Sequence, residues 1–155
     1  MRTIKFRGKS LYNYFEKAVG GYQVPKGTFV YGSLVLDCNK KPSIDVQGYS
    51  AEGMGFHTSY DVDADTVGQF TGLHDKNGKE IYEGDIIQGE YNHKHLVRYS
   101  DDEACFTVTL VEYVGNRYAE RSNTGGVKQD WIDEFSKVVI GNIYDNPELM
   151  KGAKK

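Results

Sequence analysis

Proline and cysteine are scarce, with 3 and 2 residues in a chain of 155. Few prolines leave long stretches free to pair as strands, and two cysteines exclude a disulfide-stapled scaffold. Cys38 and Cys105 each lie in an apolar stretch, which predicts buried thiols. No run approaches the roughly 18 apolar residues of a membrane span, and Met1 to Ser10 is polar and alternating rather than a signal segment's apolar core. The chain therefore reads as cytoplasmic, with no membrane partner. Neither a complete G-x-x-x-x-G-K-[ST] phosphate loop nor a G-x-G-x-x-G string occurs, which disfavours nucleotide hydrolysis and hydride transfer.

What is abundant is rings and turn formers: 12 Tyr, 7 Phe, 1 Trp and 18 Gly. Aromatic residues fit a pleated, half-buried surface, so this composition favours sheets. The formal net charge of −3 hides an uneven distribution. Residues 1–41 hold 8 Lys/Arg against 2 acids, residues 42–103 hold 4 against 13, and residues 104–155 hold 7 against 7. Opposite charges of this kind neutralise each other within a fold or across a subunit contact, or else mark an anion-binding face.

Along the chain, Thr3 to Arg7 alternates in polarity and reads as a first strand, with Ile4 and Phe6 on one face and Arg7 on the other. Residues 12–28 read as an irregular connection, because Gly20-Gly21 and Pro25 interrupt any helix begun at Leu11. Thr28 to Leu36 is a strand in which Gly32 signals a bulge or a close backbone approach. Asn39 to Thr58 is polar, Gly-rich and weakly patterned apart from Ile44-Asp45-Val46, and reads as a long excursion with short strand pieces. Thr66 to Leu73, the Asn77-Gly78 turn, Ile81-Tyr82, Glu83-Gly84-Asp85 and Ile86-Ile87 form a self-paired block. Further strands are expected at His95–Tyr99, Phe106–Val111 and Val138–Gly141, with short helices at Val127–Phe135 and Pro147–Met150, the latter capped by Asn146. The predicted fold is mostly β with small SH3-like barrel character: one domain over 1–150, divisible into lobes 1–60 and 61–150, and a basic tail at 151–155.

The block from Val67 to Ile87, containing Gly72-Leu73-His74-Asp75-Lys76-Asn77-Gly78-Lys79 and Tyr82-Glu83-Gly84-Asp85, resembles the YopX-like family of phages and prophages. Ile4–Arg7, Val30–Leu34 and Val138–Leu149 support the resemblance, while Gly8, Ala64 and residues 12–28 and 39–60 depart from it. The resemblance implies a β-rich fold, a phage or prophage origin and a tendency to form symmetric oligomers; it implies no catalytic residues. The glycines and apolar residues of the block also have a plain structural reading as turns and core.

Several constellations imitate chemistry. Asp61-x-Asp63-x-Asp65 begins like a calcium loop, but Thr66 and Gly72 stand where that loop needs Gly and Glu. His93 and His95 lack a third ligand for zinc, so no metal and no cofactor is expected. Cys105 with His93 or His95 and Asp101 or Asp102 forms a thiol triad only on paper. Arg beside Tyr or Phe suits stacking on a base and gripping phosphate, a pattern carried by Arg7, Arg98, Arg117 and Arg121. Arg7, Tyr31, Arg98, Tyr99 and Trp131 are the ligand-binding candidates. The functional expectation is a non-enzymatic, homo-oligomeric accessory protein that binds a host protein or sequesters a host nucleotide-type signal for counter-defence. The alternatives are a nucleic-acid-binding small barrel, disfavoured by the acidic charge, and an enzyme using Cys105 as nucleophile.

Overall fold

A computed structural model describes residues 3–16, 22–49, 53–89, 92–112 and 126–150. The fold is mostly β, and it divides into two compact units, Met1–Gln69 and Phe70–Lys155. The division falls inside the strand Gly68–His74, nine residues beyond the lobe boundary expected after residue 60.

The first unit contains β1 (Phe6–Lys9), β2 (Tyr14–Glu16), β3 (Tyr22–Val24), β4 (Phe29–Leu36), β5 (Pro42–Tyr49), β6 (Gly55–Asp61) and the start of β7 (Gly68–His74). Its antiparallel sheet runs in the order β6-β5-β4-β1-β7, with β2 and β3 forming a separate ribbon. Phe6, Leu34 and Val46 pack on the buried cluster of Val24, Val30, Ile44, Tyr60 and Val62. The period of two then sends Arg7, Tyr31, Asp45 and His57 to the opposite face.

This unit departs from expectation in three places. The first strand begins at Phe6 and leaves Ile4 65% exposed. It continues through Gly8, where a Cβ would meet the Val62 side chain at 2.9 Å. Residues 12–28 hold the β2–β3 ribbon, with Tyr14 facing Val24. The supposed excursion of 39–58 is a long hairpin in which β5 and β6 pair without a register shift from Ser43↔Asp61 to Tyr49↔Gly55. Its alternation was present as Ile44/Val46 and Phe56/Thr58/Tyr60, but glycines masked it. One of them, Gly48, lies under the Phe56 ring, which would stand 2.7 Å from a Cβ. Gly32 is a close approach, as expected, since a Cβ there would collide with the Asp45 carbonyl.

The second unit holds the rest of β7 with β8 (Glu80–Tyr82), and a sheet ordered β11-β10-β9-β12 from β9 (Asp85–Gln88), β10 (Lys94–Ser100), β11 (Cys105–Glu112) and β12 (Val138–Asn142). Ile81, Ile87, Val97, Val108 and Ile132 form its buried cluster, and Ile132 comes from the helix α1 (Gln129–Glu134). Gln129 docks that helix: its side-chain oxygen accepts from the His74 N–H at 3.1 Å while its Nε2 donates to the His74 carbonyl at 2.9 Å. The second helical candidate is a 3-10 turn, Pro147–Met150, and Asn146 turns its side-chain oxygen back to the Asn142 N–H at 3.4 Å instead of capping it.

Barrel closure does not occur among the described residues: neither strand order returns its last strand to its first. A barrel needs tilt and stagger accumulated across its ladders. The unshifted pairing of β5 with β6 extends the sheet outward instead. The expected burial of both thiols is also corrected. Cys38 is exposed because its stretch ends in the β4–β5 turn, and Cys105 is half-buried at the start of β11.

Candidate recognition surface

On the outer face of the first unit, cations and rings alternate across two strands. The register sets Arg7 opposite Tyr31 and Lys9 opposite Phe29. Lys5 Nζ stands 5.7 Å from the Tyr31 ring centre, Arg7 Cζ 4.6 Å from that of Phe29, and Lys9 Nζ 5.4 Å from the same ring. Cation–ring geometry of this kind contributes on the order of 0.5–2 kcal/mol per pair. Arg7 is 4% exposed, packed on Phe29 rather than presented to solvent, while Tyr31 is 43% exposed. Gly8-Lys9-Ser10 has the spelling of a phosphate-loop ending, which sequence reasoning missed, but it runs through β1 into a bridge with Val62 rather than opening a helix.

The other candidates lie in the second unit. Arg98 and Tyr99 are consecutive on β10, so they project from opposite faces. Tyr99 sits edge-on to Phe106 at 5.3 Å, and Arg98 pairs with Thr107 on the far side. Trp131 is half-buried on α1 with the His95 ring at its edge, 5.3 Å away, and Lys137 Nζ 4.4 Å over its face. Lys137 is 1% exposed, so the Trp131 ring serves a buried ammonium there. Arg117 and Arg121 lie outside the described residues.

The thiol constellation is spread along β10. Cys105 pairs with Ser100 and His95 with Leu110, five strand positions or about 17 Å apart at the usual rise. Cys105 Sγ has Glu103 Oε2 at 3.8 Å instead. Of the three aspartates in the calcium-like string, Asp63 caps the 3-10 turn Ala64–Thr66 by accepting from the Asp65 N–H.

A groove of about 520 Å³ that sequence reasoning missed lies in the first unit. Leu11, Tyr12, Pro42 and Val62 line it with apolar groups, and Asp37, Lys41, Asp61 and Asp63 add charged ones. It stayed hidden because it assembles three segments distant in sequence: the link after β1, the β4–β5 turn and the end of β6. Beside it the Tyr14 hydroxyl accepts from the Asp61 N–H at 2.9 Å. Burial, joined by the Asp61 carboxylate and Tyr12, pushes the Tyr14 hydroxyl above the ordinary tyrosine pKa, against the lowering effect of that N–H. Further along the sheet, His57 Nε2 and Asp45 Oδ2 meet at 2.9 Å. Hydrogen bonds from Ser59 and then His57 hold the Asp45 carboxyl below the ordinary carboxylate range.

A family model described as YopX protein matches residues 22–151. The chain belongs to the YopX family. The blocks Val30–Leu34, Val67–Ile87 and Val138–Leu149 lie inside that match, and Ile4–Arg7 precedes it. Among solved structures, protein EF1440 from Enterococcus faecalis is similar in fold, with a TM-score of 0.54 over 97% of this chain and 100% of that one at 24% identity. No curated protein matches. Among the described residues no helix is long and apolar enough to cross a membrane.

Proposed function

We propose that this YopX-family chain is a non-enzymatic, self-associating binding protein that recognises another polypeptide through its first unit. The observation that carries the reading is the distribution of exposed apolar side chains. Of the nine large hydrophobic residues exposed among the described residues, eight belong to the first unit, including Tyr12 at 58%, Leu36 at 57% and Tyr49 at 81%; the second contributes Tyr99. Leu11 and Tyr12 come together on the groove; contiguous apolar exposure marks an interaction surface, and tyrosine gives contact area at small entropic cost. The groove beside Tyr12 adds specificity, because aspartates next to apolar walls suit a segment that presents Lys or Arg beside an aliphatic or aromatic side chain. In a phage or prophage setting such a partner would be a host protein, consistent with an accessory or counter-defence role.

Selection of random displayed peptides on the immobilised full chain tests this. Enrichment of basic-apolar sequences whose affinity falls about tenfold on Tyr12→Ala supports the reading. Failure to enrich, or peptides indifferent to Tyr12, overturns it. A nucleotide-type ligand is the second reading, favoured by Lys5 and Lys9 beside the Phe29 and Tyr31 rings. Calorimetry with cyclic and linear nucleotides tests it: heat that Tyr31→Ala abolishes supports it, and no heat from any of them removes it.

A further inference from the structure

We infer that β6 is a self-pairing edge, joining two copies of this chain through an antiparallel β6–β6 ladder whose two-fold axis passes at His57. The inference deepens the self-association in the proposed function by naming its surface.

An antiparallel edge strand directs the backbone groups of alternate residues outward. Asp61 fixes the parity here, since its N–H donates to the Tyr14 hydroxyl at 2.9 Å and its carbonyl accepts from the Leu11 N–H at 2.9 Å. Both contacts lie off the β5 ladder, so Asp61 faces outward, and so do Ser59, His57 and Gly55 at the same parity. Phe56, Thr58 and Tyr60 turn their backbone groups toward Gly48, Val46 and Ile44 of β5. The template therefore runs from Gly55 to Ser59 and is closed at its Asp61 end.

Proteins protect such edges with lysine, proline, a bulge or short length. β6 is seven residues long, reads Gly-Phe-His-Thr-Ser-Tyr-Asp, and pairs with β5 in unbroken register. Its Asp61 end is covered by the Leu11 and Tyr14 segment, but from Gly55 to Ser59 it carries no lysine, proline, bulge or charged carboxylate. The second unit contrasts with this: the outer edge of β11 receives the Val127 N–H on the Phe106 carbonyl at 2.8 Å.

A second copy fits the edge because antiparallel pairing of identical strands is self-complementary. With only Gly55, His57 and Ser59 open, the register using all of them sets His57 opposite its counterpart and Gly55 opposite Ser59 of the other copy. Met54, 65% exposed, then falls opposite the other copy's Tyr60, which is part of the buried cluster, so the two cores become continuous on that face. On the other face each His57 keeps its own Asp45 at 2.9 Å.

The test uses the full chain in sedimentation equilibrium, with two variants. The wild type is expected to be a dimer at micromolar concentration. Ser59→Pro removes an outward N–H and the Ser59 side-chain hydrogen bond to Asp45 while leaving the β5 backbone ladder in place, and should yield a folded monomer with near-native far-ultraviolet circular dichroism. In a Cys38→Ser background, His57→Cys should form a disulfide-linked dimer on mild oxidation, since residues opposed in a hydrogen-bonded pair have Cα atoms about 5.5 Å apart, within disulfide reach. Ser59→Cys should not link. A monomeric wild type overturns both this inference and the self-association behind it. A dimer that survives Ser59→Pro, or links through Ser59→Cys rather than His57→Cys, overturns the β6 edge alone.

Discussion

Each unit contains a hairpin turned by the same five-residue device, and the two differ at one decisive position and in what surrounds them. Asp37-Cys38-Asn39-Lys40-Lys41 joins β4 to β5, and Asp75-Lys76-Asn77-Gly78-Lys79 joins β7 to β8. In both, the aspartate Oδ1 accepts from the N–H groups two and four residues on, at 2.8 and 2.8 Å in the first and 2.8 and 3.0 Å in the second. In both, the fourth residue takes positive φ, Lys40 at 61° and Gly78 at 81°. The second turn is sewn into its unit, because Asp75 Oδ2 also accepts from the Val139 N–H at 3.0 Å and the Lys76 N–H donates to the Lys137 carbonyl at 2.9 Å. The first is exposed and lends Asp37 and Lys41 to the groove. One device thus serves as scaffold in one unit and as surface in the other.

The strongest way to break this comparison is to delete the two aspartates in turn. Asp75→Ala should cost about 3 kcal/mol, because the buried carboxylate, 5% exposed, serves three part-buried N–H groups, those of Asn77, Lys79 and Val139. Asp37→Ala should cost less than about 1 kcal/mol, since water replaces the carboxylate. Urea unfolding of both variants checks the ratio, and equal losses would refute the scaffold and surface assignment. Next in size is Gly78→Val, expected to destabilise by about 1–3 kcal/mol, because a β-branched residue is strained at positive φ; the thermal midpoint reports it. Lys40→Gly should raise stability by about 0.5–1 kcal/mol, through relief of the left-handed strain at Lys40 less the added chain entropy of glycine. An unchanged or lower midpoint would show that Lys40 is not strained.

The smallest effect is on pH. Asp45 has a depressed folded-state pKa, held chiefly by Ser59 and then by His57. Its contribution is therefore present above the unfolded carboxylate value, about 3.9, and is lost as pH falls through the folded value. The thermal-midpoint difference between the wild type and Asp45→Asn should be constant near neutrality and shrink below about pH 4. A difference that grows on acidification would contradict the sign.

The same pair of turns explains what was legible in the sequence. Asn77-Gly78 announces its hairpin because glycine supplies positive φ, and with it the second unit's strands and the family resemblance could be read. Asn39-Lys40 makes the same turn without glycine, so β5 and β6 passed for an irregular excursion, and the groove and the β6 edge were lost with them. Candidate ligand residues were legible only as neighbours in sequence. Arg7 and Tyr31, far apart in the chain, are brought together by strand register, whereas Arg98 and Tyr99, adjacent in the chain, are separated by the alternation of a strand. Burial was least legible of all: nothing local in Lys-Phe-Arg-Gly-Lys shows that Arg7 is 4% exposed.

The claim that the first unit carries the docking surface is tested most directly by amide chemical shifts of the uniformly labelled chain, followed as its concentration rises through the micromolar range. The account predicts that shifts and broadening concentrate at Gly55, His57 and Ser59, with Met54 and Tyr60 following, while Asp75, Gly78 and Val139 stay fixed. Perturbations confined to the second unit, or no change on dilution to a concentration at which the chain sediments as a monomer, would contradict it.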